Sequence, residues 1–203
     1  MRTARLEAFS DGVLAIIITI MVLELSTPPP EDGFGIGAFL RVTGPGLLTY
    51  LLSFVYVGIY WNNHHHMFSL VRHISGAVLW ANLGLLFFLS LFPFTTRWMD
   101  DSRLLPVPVA VYGTNLLLAA IAYYVLQTVI IRQQGPGSPL AHAVGVDLKG
   151  KLSPVLYLVG IVCASVVDTH GRVGVALALA AFTAVALMWV VPDRRIARVI
   201  DRA

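Results

Sequence analysis

Charged residues are scarce in this chain, and only one cysteine is present. Asp, Glu, Lys and Arg make up 12% of the 203 residues, whereas hydrophobic residues make up 57%. A soluble domain carries roughly 25% charged residues, so the small share here excludes an ordinary soluble protein and indicates a chain that folds in a lipid bilayer. The 14 basic residues are spread between apolar runs. We therefore expect no nucleic acid among the partners.

Several motifs that would identify a chemical activity are missing. The lone Cys163 excludes an intrachain disulfide and a cysteine metal cluster. The sequence has no Thr-Val-Gly-Tyr-Gly, which excludes the usual carbonyl selectivity filter of potassium channels. It also has no H-E-x-x-H and no G-x-S-x-G, and no Ser/His or carboxylate pair lies in the middle of an apolar run. We expect neither an enzyme nor a bound cofactor.

Long apolar runs dominate what is present. Five stretches, over residues 42–71, 74–96, 104–131, 152–167 and 173–192, contain no charged residue, and a sixth apolar segment lies near the N-terminus. A membrane-spanning helix needs about 20 mostly apolar residues, and these runs lack the alternation of barrel strands. The sequence therefore predicts an all-α membrane protein in which residues 1–203 form one domain. Its six transmembrane helices are predicted at residues 6–26, 45–66, 74–96, 106–131, 151–168 and 172–192.

Prolines and glycines set several of these predicted helix ends. The Pro28-Pro29-Pro30 run is expected to follow the first helix, and Gly44-Pro45-Gly46 to open the second. Pro154 is expected to lie near the start of the fifth helix. The stretch 133–137 is predicted to be a loop.

The basic residues are distributed unevenly between the two sides of the membrane. If the N-terminus is cytoplasmic, ten of them fall on the inner side and four on the outer side, a bias that matches the positive-inside rule. We expect both termini in the cytoplasm of a cell whose plasma membrane the chain crosses. The inner set is Arg2, Arg5, Arg72, Arg132, Lys149, Lys151, Arg194, Arg195, Arg198 and Arg202, and the outer set is Arg41, Arg97, Arg103 and Arg172.

The first predicted helix has one face of bulky side chains. At about 100° per residue, Phe9, Ile16, Ile20 and Leu23 fall within a stripe about 60° wide. Asp11 points about 140° away from Ile16, and Ser10 about 120° away on the other flank. Periodicity alone does not distinguish a pore-lining stripe from one that faces lipid or the core.

The beginning of this helix carries a motif of specific spacing. Arg5, Phe9, Ser10 and Asp11 form R-x-x-x-F-S-D, followed by Gly-Val-Leu-Ala-Ile. This stretch resembles the hallmark of the transmembrane protein 175 family, the endolysosomal potassium channels and their prokaryotic relatives. Six predicted spans with both termini inside also resemble the prokaryotic members.

The resemblance implies a function and an assembly. It implies a homotetrameric, potassium-permeable cation channel in which the first helix of each subunit lines the pore, with proton permeation as a further possibility. Ile16, Ile20 and Leu23 match the positions of a hydrophobic constriction, which can gate by dewetting. The hydroxyl of Thr19, about 60° from Ile16, would lie beside the narrowest point and is the candidate for selectivity.

A group of polar residues is predicted at the cytoplasmic end, at the depth of Ser10 and Asp11. A carboxylate near the membrane needs hydrogen-bond donors, and the second and third helices offer several. The resemblance implies that the F-S-D polar groups bond to such side chains, so that the motif has a structural role. The sequence leaves the partner open among Trp61, His65, His66, His73 and Asn82.

The three consecutive histidines allow two interpretations, a metal site and a pH sensor. His64, His65 and His66 are consecutive, and consecutive helical residues point about 100° apart, so they cannot share one metal ion and we expect no metal site. A pH-sensing histidine remains open.

The alternative function is a secondary transporter, although the inverted repeats and broken helices typical of that class are not evident. Acidic residues near the outer ends, Glu24 foremost, could enrich cations at the outer mouth.

Overall fold

The computed structural model describes residues 3–33, 35–71, 73–145, 147–166 and 172–190. These residues form eight α-helices and one short 3-10 turn, Pro30–Asp32, and contain no strand. The helices are α1 (Thr3–Leu23), α2 (Ile36–Ser69), α3 (Gly76–Ser90), α4 (Phe92–Asp101), α5 (Pro106–Gln134), α6 (Pro139–Val144), α7 (Leu148–Val166) and α8 (Val173–Val190). The ends predicted at residues 168 and 192, and the basic residues beyond 190, lie outside the described residues.

Within these residues, six helical segments are long and apolar enough to cross a membrane. They are α1, α2, α3 together with α4, α5, α7 and α8. The prediction of an all-α membrane protein with six spanning helices is therefore confirmed. α6 is too short to span, and the side chain of Ser138 caps it by accepting a hydrogen bond from the amide of Ala141.

The second helix begins earlier than the sequence predicted. It starts at Ile36, nine residues before the predicted start at position 45, and continues through Pro45. A proline inside a helix removes one amide donor, which would have paired with the carbonyl of residue 41. Because Arg41 and Pro45 are both exposed near the end of the helix, water or lipid headgroups can satisfy that carbonyl. Proline at this position therefore does not end the helix.

The third span is interrupted where the sequence predicted one continuous helix over residues 74–96. α3 ends at Ser90, and α4 begins at Phe92 with Pro93 in its first turn. The missing amide of Pro93 breaks the hydrogen-bond ladder at this point, so a short bend separates the two helices. α4 then extends to Asp101 and leads into the turn that precedes α5.

The helices pack in two groups, one around α5 and one around α1, and α3 and α4 belong to both. α5 lies centrally and packs against α3, α4, α7 and α8, while α1 packs against α2, α3 and α4. The Phe182 ring fills a space where a side chain at Gly113 or Gly160 would collide with it, so α5, α7 and α8 approach closely. This arrangement leaves α1 at the edge of the bundle.

Buried hydroxyl groups connect the central helices. Ser53 on α2 is hydrogen-bonded to the Thr96 hydroxyl at 2.7 Å and to the Tyr112 hydroxyl at 3.1 Å. The Tyr56 hydroxyl donates to the carbonyl oxygen of Phe182 at 2.6 Å. Polar groups in hydrocarbon must find partners within the protein, and here they connect four helices and fix how these pack.

Candidate functional site

The first helix has two unlike faces. Leu6, Ser10, Leu14, Ile17 and Met21 are buried against the bundle. The predicted stripe faces away from it: the exposed fractions are 53% for Phe9, 59% for Ile16, 41% for Ile20 and 81% for Leu23. From Phe9 to Leu23 the stripe runs for about 21 Å of helix, which is about two thirds of a hydrocarbon core about 30 Å thick.

Thr19 also lies on the exposed side of α1. Its hydroxyl donates to the carbonyl oxygen of Ile16, one turn earlier, at 2.8 Å. The proton of the hydroxyl is therefore engaged with the helix backbone, whereas the oxygen lone pairs point outward. An oxygen presented in this way accepts from water or coordinates a cation.

Ser10 lies at the centre of a fully buried hydrogen-bond chain. Its hydroxyl donates to the carbonyl oxygen of Leu6 at 2.9 Å and accepts from the side-chain amide of Asn82 at 3.0 Å. The amide oxygen of Asn82 lies 2.8 Å from Nε2 of His64. Because an amide oxygen only accepts, this geometry requires the tautomer of His64 that carries its proton on Nε2. The chain joins α1, α2 and α3 through three buried side chains.

Asp11 makes a separate contact at the surface of the same helices. Nε1 of Trp61 on α2 donates to Oδ1 of Asp11 at 3.1 Å. The ring of His65 stacks on Trp61, with centroids 6.4 Å apart, and its Nδ1 lies 3.7 Å from the Glu7 carboxylate. These contacts join α1 to α2 a second time, at an exposed position on a different side of α1 from the buried chain.

The structure separates the five candidate partners of the motif. Trp61 contacts Asp11, Asn82 contacts Ser10, and His65 reaches Glu7 instead of the motif. His66 lies beside His65, and among the described residues neither the His66 nor the His73 side chain forms a hydrogen bond with the motif. The reason for His66 is geometric: it lies about 200° from His64 around α2, so both cannot face the same neighbours.

His64 was missed as a partner by sequence reasoning. The signal was present, because α2 buries Ser53, Tyr56, Tyr60, His64 and Met67 at intervals of three and four residues. That series places His64 on the core face of the helix.

Two charged groups near the ends of α1, Arg5 within it and Glu24 directly after it, have different surroundings. Arg5 is exposed, and helix geometry puts it about 20° from the direction of Ile16, at the inner end of the stripe. Within the described ranges it forms no ion pair. At the other end, Arg97 donates to Glu24 at 2.8 Å and to Asp101 at 3.1 Å. Glu24 is thus paired with a cation, which weakens the expectation that it enriches cations at the outer mouth.

Comparison with known proteins identifies relatives of this chain by sequence. Residues 5–93 match the sequence model of the endosomal/lysosomal potassium channel TMEM175. A protein named as a potassium channel from Chryseobacterium sp. is 47% identical, with 97% of this chain and 96% of that protein aligned. Human TMEM175, named as an endosomal/lysosomal proton channel, is 41% identical over 95 residues, which cover 43% of this chain and 18% of the human protein.

A solved structure agrees with these sequence matches. The crystal structure of a lysosomal potassium-selective channel TMEM175 homologue from Chamaesiphon minutus superposes with a TM-score of 0.78 at 29% identity, and the match covers 94% of this chain and 97% of that one. The family and these relatives are ion channels and not enzymes. On this combined evidence, the chain belongs to the TMEM175 family.

Proposed function

We propose that this chain is one subunit of a homotetrameric, potassium-permeable cation channel in the plasma membrane of a prokaryote. The observation that supports this proposal most directly is the placement of Ile16, Ile20 and Leu23, the positions that match the family's constriction, on one face of α1 that the rest of this chain leaves uncovered and so available to line a lumen. The names of the relatives supply the chemistry of the permeant ion, and protons are a second candidate ion.

A single α1 cannot enclose a path for ions. Closed rotational symmetry brings the same face of each copy to one axis, so four copies of the stripe would surround a central lumen. Ile16, Ile20 and Leu23 would then narrow the lumen at three levels, each about one turn from the next. A ring of isoleucine or leucine side chains repels water, and such a constriction stops ions by dewetting.

The polar contacts would hold α1 in place for this role. The buried Ser10–Asn82–His64 chain and the Trp61–Asp11 bond fix the inner half of the helix against α2 and α3. The Glu24–Arg97 pair fixes its outer end against α4. In this proposal the motif residues Arg5, Phe9, Ser10 and Asp11 orient and support the pore helix, whereas Thr19 is the polar group offered to the permeating ion.

The direct test is electrical recording from the purified full chain in planar bilayers, with potassium on one side and sodium on the other. We expect unitary currents whose reversal potential is shifted from zero towards the equilibrium potential of potassium. Saturable flux without unitary currents, or flux strictly coupled to a second solute, would instead indicate the secondary transporter. Bilayers that received protein-free detergent are the control, and the mass of the assembly in detergent tests the tetramer separately.

A further inference from the structure

A large groove opens at the outer end of the bundle, between α2 and α8. Its volume is about 1160 Å³, and the turn between α4 and α5 closes its top. Among the described residues, none of those that line it belongs to α1. The groove is therefore separate from the stripe that the proposed channel would use.

The walls of the groove are apolar and deep. On α2 the lining extends from Leu40 to Val55, and on α8 it reaches Leu187. Fifteen residues of helix correspond to about 22 Å, which exceeds half of a hydrocarbon core about 30 Å thick. A slot of this depth and chemistry matches an acyl chain that extends from the headgroup region towards the middle of the bilayer.

The rim of the groove is cationic. Three of the four basic residues expected on the outer side, Arg41, Arg103 and Arg172, line it. Within the described part of the chain none of the three forms an ion pair, whereas the fourth, Arg97, is paired with Glu24 and Asp101. At this end of the described protein, the arginines that form no ion pair therefore all lie at this groove.

The backbone at the rim adopts a costly conformation. Arg103 and Leu104 have φ angles of 51° and 62°, in the left-handed region that non-glycine residues avoid. Hydrogen bonds from their amides to the carbonyl oxygens of Asp100 and Met99, at 2.7 and 3.0 Å, hold this turn. The fold therefore keeps two consecutive unfavourable residues at the point where Arg103 meets the groove.

Two carboxylates also line the groove, and both have neighbours of their own. Asp101 accepts from Arg97 at 3.1 Å. The carboxylate of Asp100 packs so closely on Gly46 that it leaves no room for a Cβ there. Asp101 shares the Arg97 guanidinium with Glu24, and Asp100 is held against α2, so the lining itself carries three arginines against two carboxylates.

We propose that this groove binds a phospholipid with an anionic headgroup of the phosphatidylglycerol class. One acyl chain lies between α2 and α8, and the phosphate lies among Arg41, Arg103 and Arg172. Guanidinium groups form paired hydrogen bonds with phosphate oxygens, which distinguishes them as ligands for this headgroup. The proposal does not depend on ion conduction, so lipid binding and channel activity can fail independently.

The headgroup part of the proposal is tested by lipid retention of the delipidated full chain, measured by native mass spectrometry during titration with phosphatidylglycerol or phosphatidylcholine. Arg103→Gln and Arg41→Gln are each expected to weaken retention of phosphatidylglycerol about fivefold, the size expected for one basic group near an anionic lipid. Lys151→Gln, which removes one charge at the opposite end, is the matched control and should leave retention unchanged. Displacement of the bound species by inorganic phosphate alone would contradict a lipid site.

The proposed position of the acyl chain is tested by filling the groove between α2 and α8 with a bulky side chain. Thr183→Trp places a bulky side chain in the groove, whereas Val159→Trp places one on an exposed face of α7. We expect only Thr183→Trp to abolish retention of phosphatidylglycerol. Equal retention in both tryptophan variants, or in the arginine variants and Lys151→Gln, would show ordinary surrounding lipid and overturn the proposal. A change of oligomeric mass in Thr183→Trp with lipid retention intact would show a contact between copies and also overturn it.

Discussion

The two faces of α1 reverse the usual relation between polarity and burial. On one face Ser10 is fully buried and bonded to Asn82, while on the other Ile16 and Leu23 are more than half exposed. In a soluble helix the aliphatic residues would form the contact and the serine would face water. The buried face also contains Leu6, Leu14, Ile17 and Met21, so aliphatic packing and the Ser10–Asn82 hydrogen bond together position the helix, whereas the stripe is the aliphatic face that the rest of this chain leaves uncovered.

The largest effect is expected when the aliphatic face is made polar. Ile16→Asn should wet the proposed constriction and raise the leak current at least about tenfold, which corresponds to a barrier lowered by about 1.4 kcal/mol. Single-channel and macroscopic recordings in planar bilayers measure this change. Val22→Asn is the control, because Val22 is exposed but lies about 120° from Ile16 around the helix. Equal leak currents in the two variants would remove the distinction between the faces.

The next effect concerns the buried polar face. Asn82→Leu leaves the buried His64 ring without its hydrogen-bond partner and removes the donor to Ser10, which keeps its bond to the Leu6 carbonyl oxygen, at a cost of about 1–3 kcal/mol. We expect a lower unfolding temperature and a smaller tetramer fraction in detergent, measured by size-exclusion chromatography after heating.

The chain offers a matched control for that substitution. Asn115 on α5 is 5% exposed, and neither atom of its amide group has a hydrogen-bond partner among the described residues. Asn115→Leu therefore breaks no hydrogen bond and should be neutral or stabilising. If both asparagine variants lost stability equally, the Ser10–Asn82–His64 chain would not be what positions α1.

A smaller effect is expected at the surface contact of the motif. Asp11→Ala removes the acceptor of the Trp61 hydrogen bond and should cost about 0.5–1.5 kcal/mol. The tetramer fraction should fall while the reversal potential under a potassium/sodium gradient stays that of the wild type, because Asp11 points away from the stripe. Asp11→Asn keeps an acceptor oxygen and should restore most of the assembly. A changed reversal potential with normal assembly would place Asp11 in the pore.

The smallest effect is expected at Thr19. Thr19→Val keeps the shape of the side chain but removes the outward oxygen, and the preference for potassium should fall about two- to fivefold, which corresponds to a lost contact of about 0.5–1 kcal/mol. The reversal potential under the same gradient measures it. Thr19→Ser, which keeps the oxygen, should behave like the wild type. Identical reversal potentials for the valine variant and the wild type would exclude a role in selectivity.

Much of the fold could be predicted from the sequence because its physical cause is simple. Long uncharged runs can only be buried or lie in lipid, and runs in lipid that lack the alternation of barrel strands are helical, so six spans follow from hydropathy and its pattern. The helix ends were less predictable. Pro45 was expected to open α2 but lies inside it, and Pro93 was overlooked although it separates α3 from α4. The effect of a proline depends on whether the carbonyl that it frees meets water, headgroups or hydrocarbon, and the sequence does not state that.

The candidate site was predictable in part for a similar reason. Helix geometry placed Ser10 and Asp11 off the stripe, and the structure puts Ser10 in the core beside Asn82. The three- and four-residue series of α2 could have placed His64 on the core face, but the residue of α3 that it meets depends on how α2 and α3 rotate about their own axes. His64 and His66 have the same side chain but lie about 200° apart around α2, and His64 is the one that reaches Asn82.

Cysteine modification would test most directly whether the stripe of α1 borders an ion path. In a Cys163→Ala background, Ile20→Cys and Val22→Cys place a thiol at nearly the same depth but on different faces. We predict that a water-soluble, thiol-reactive cation blocks the current of Ile20→Cys channels in planar bilayers and leaves Val22→Cys channels unaffected. Block of Val22→Cys with Ile20→Cys unaffected would contradict the account, because it would show that the stripe faces away from the ion path.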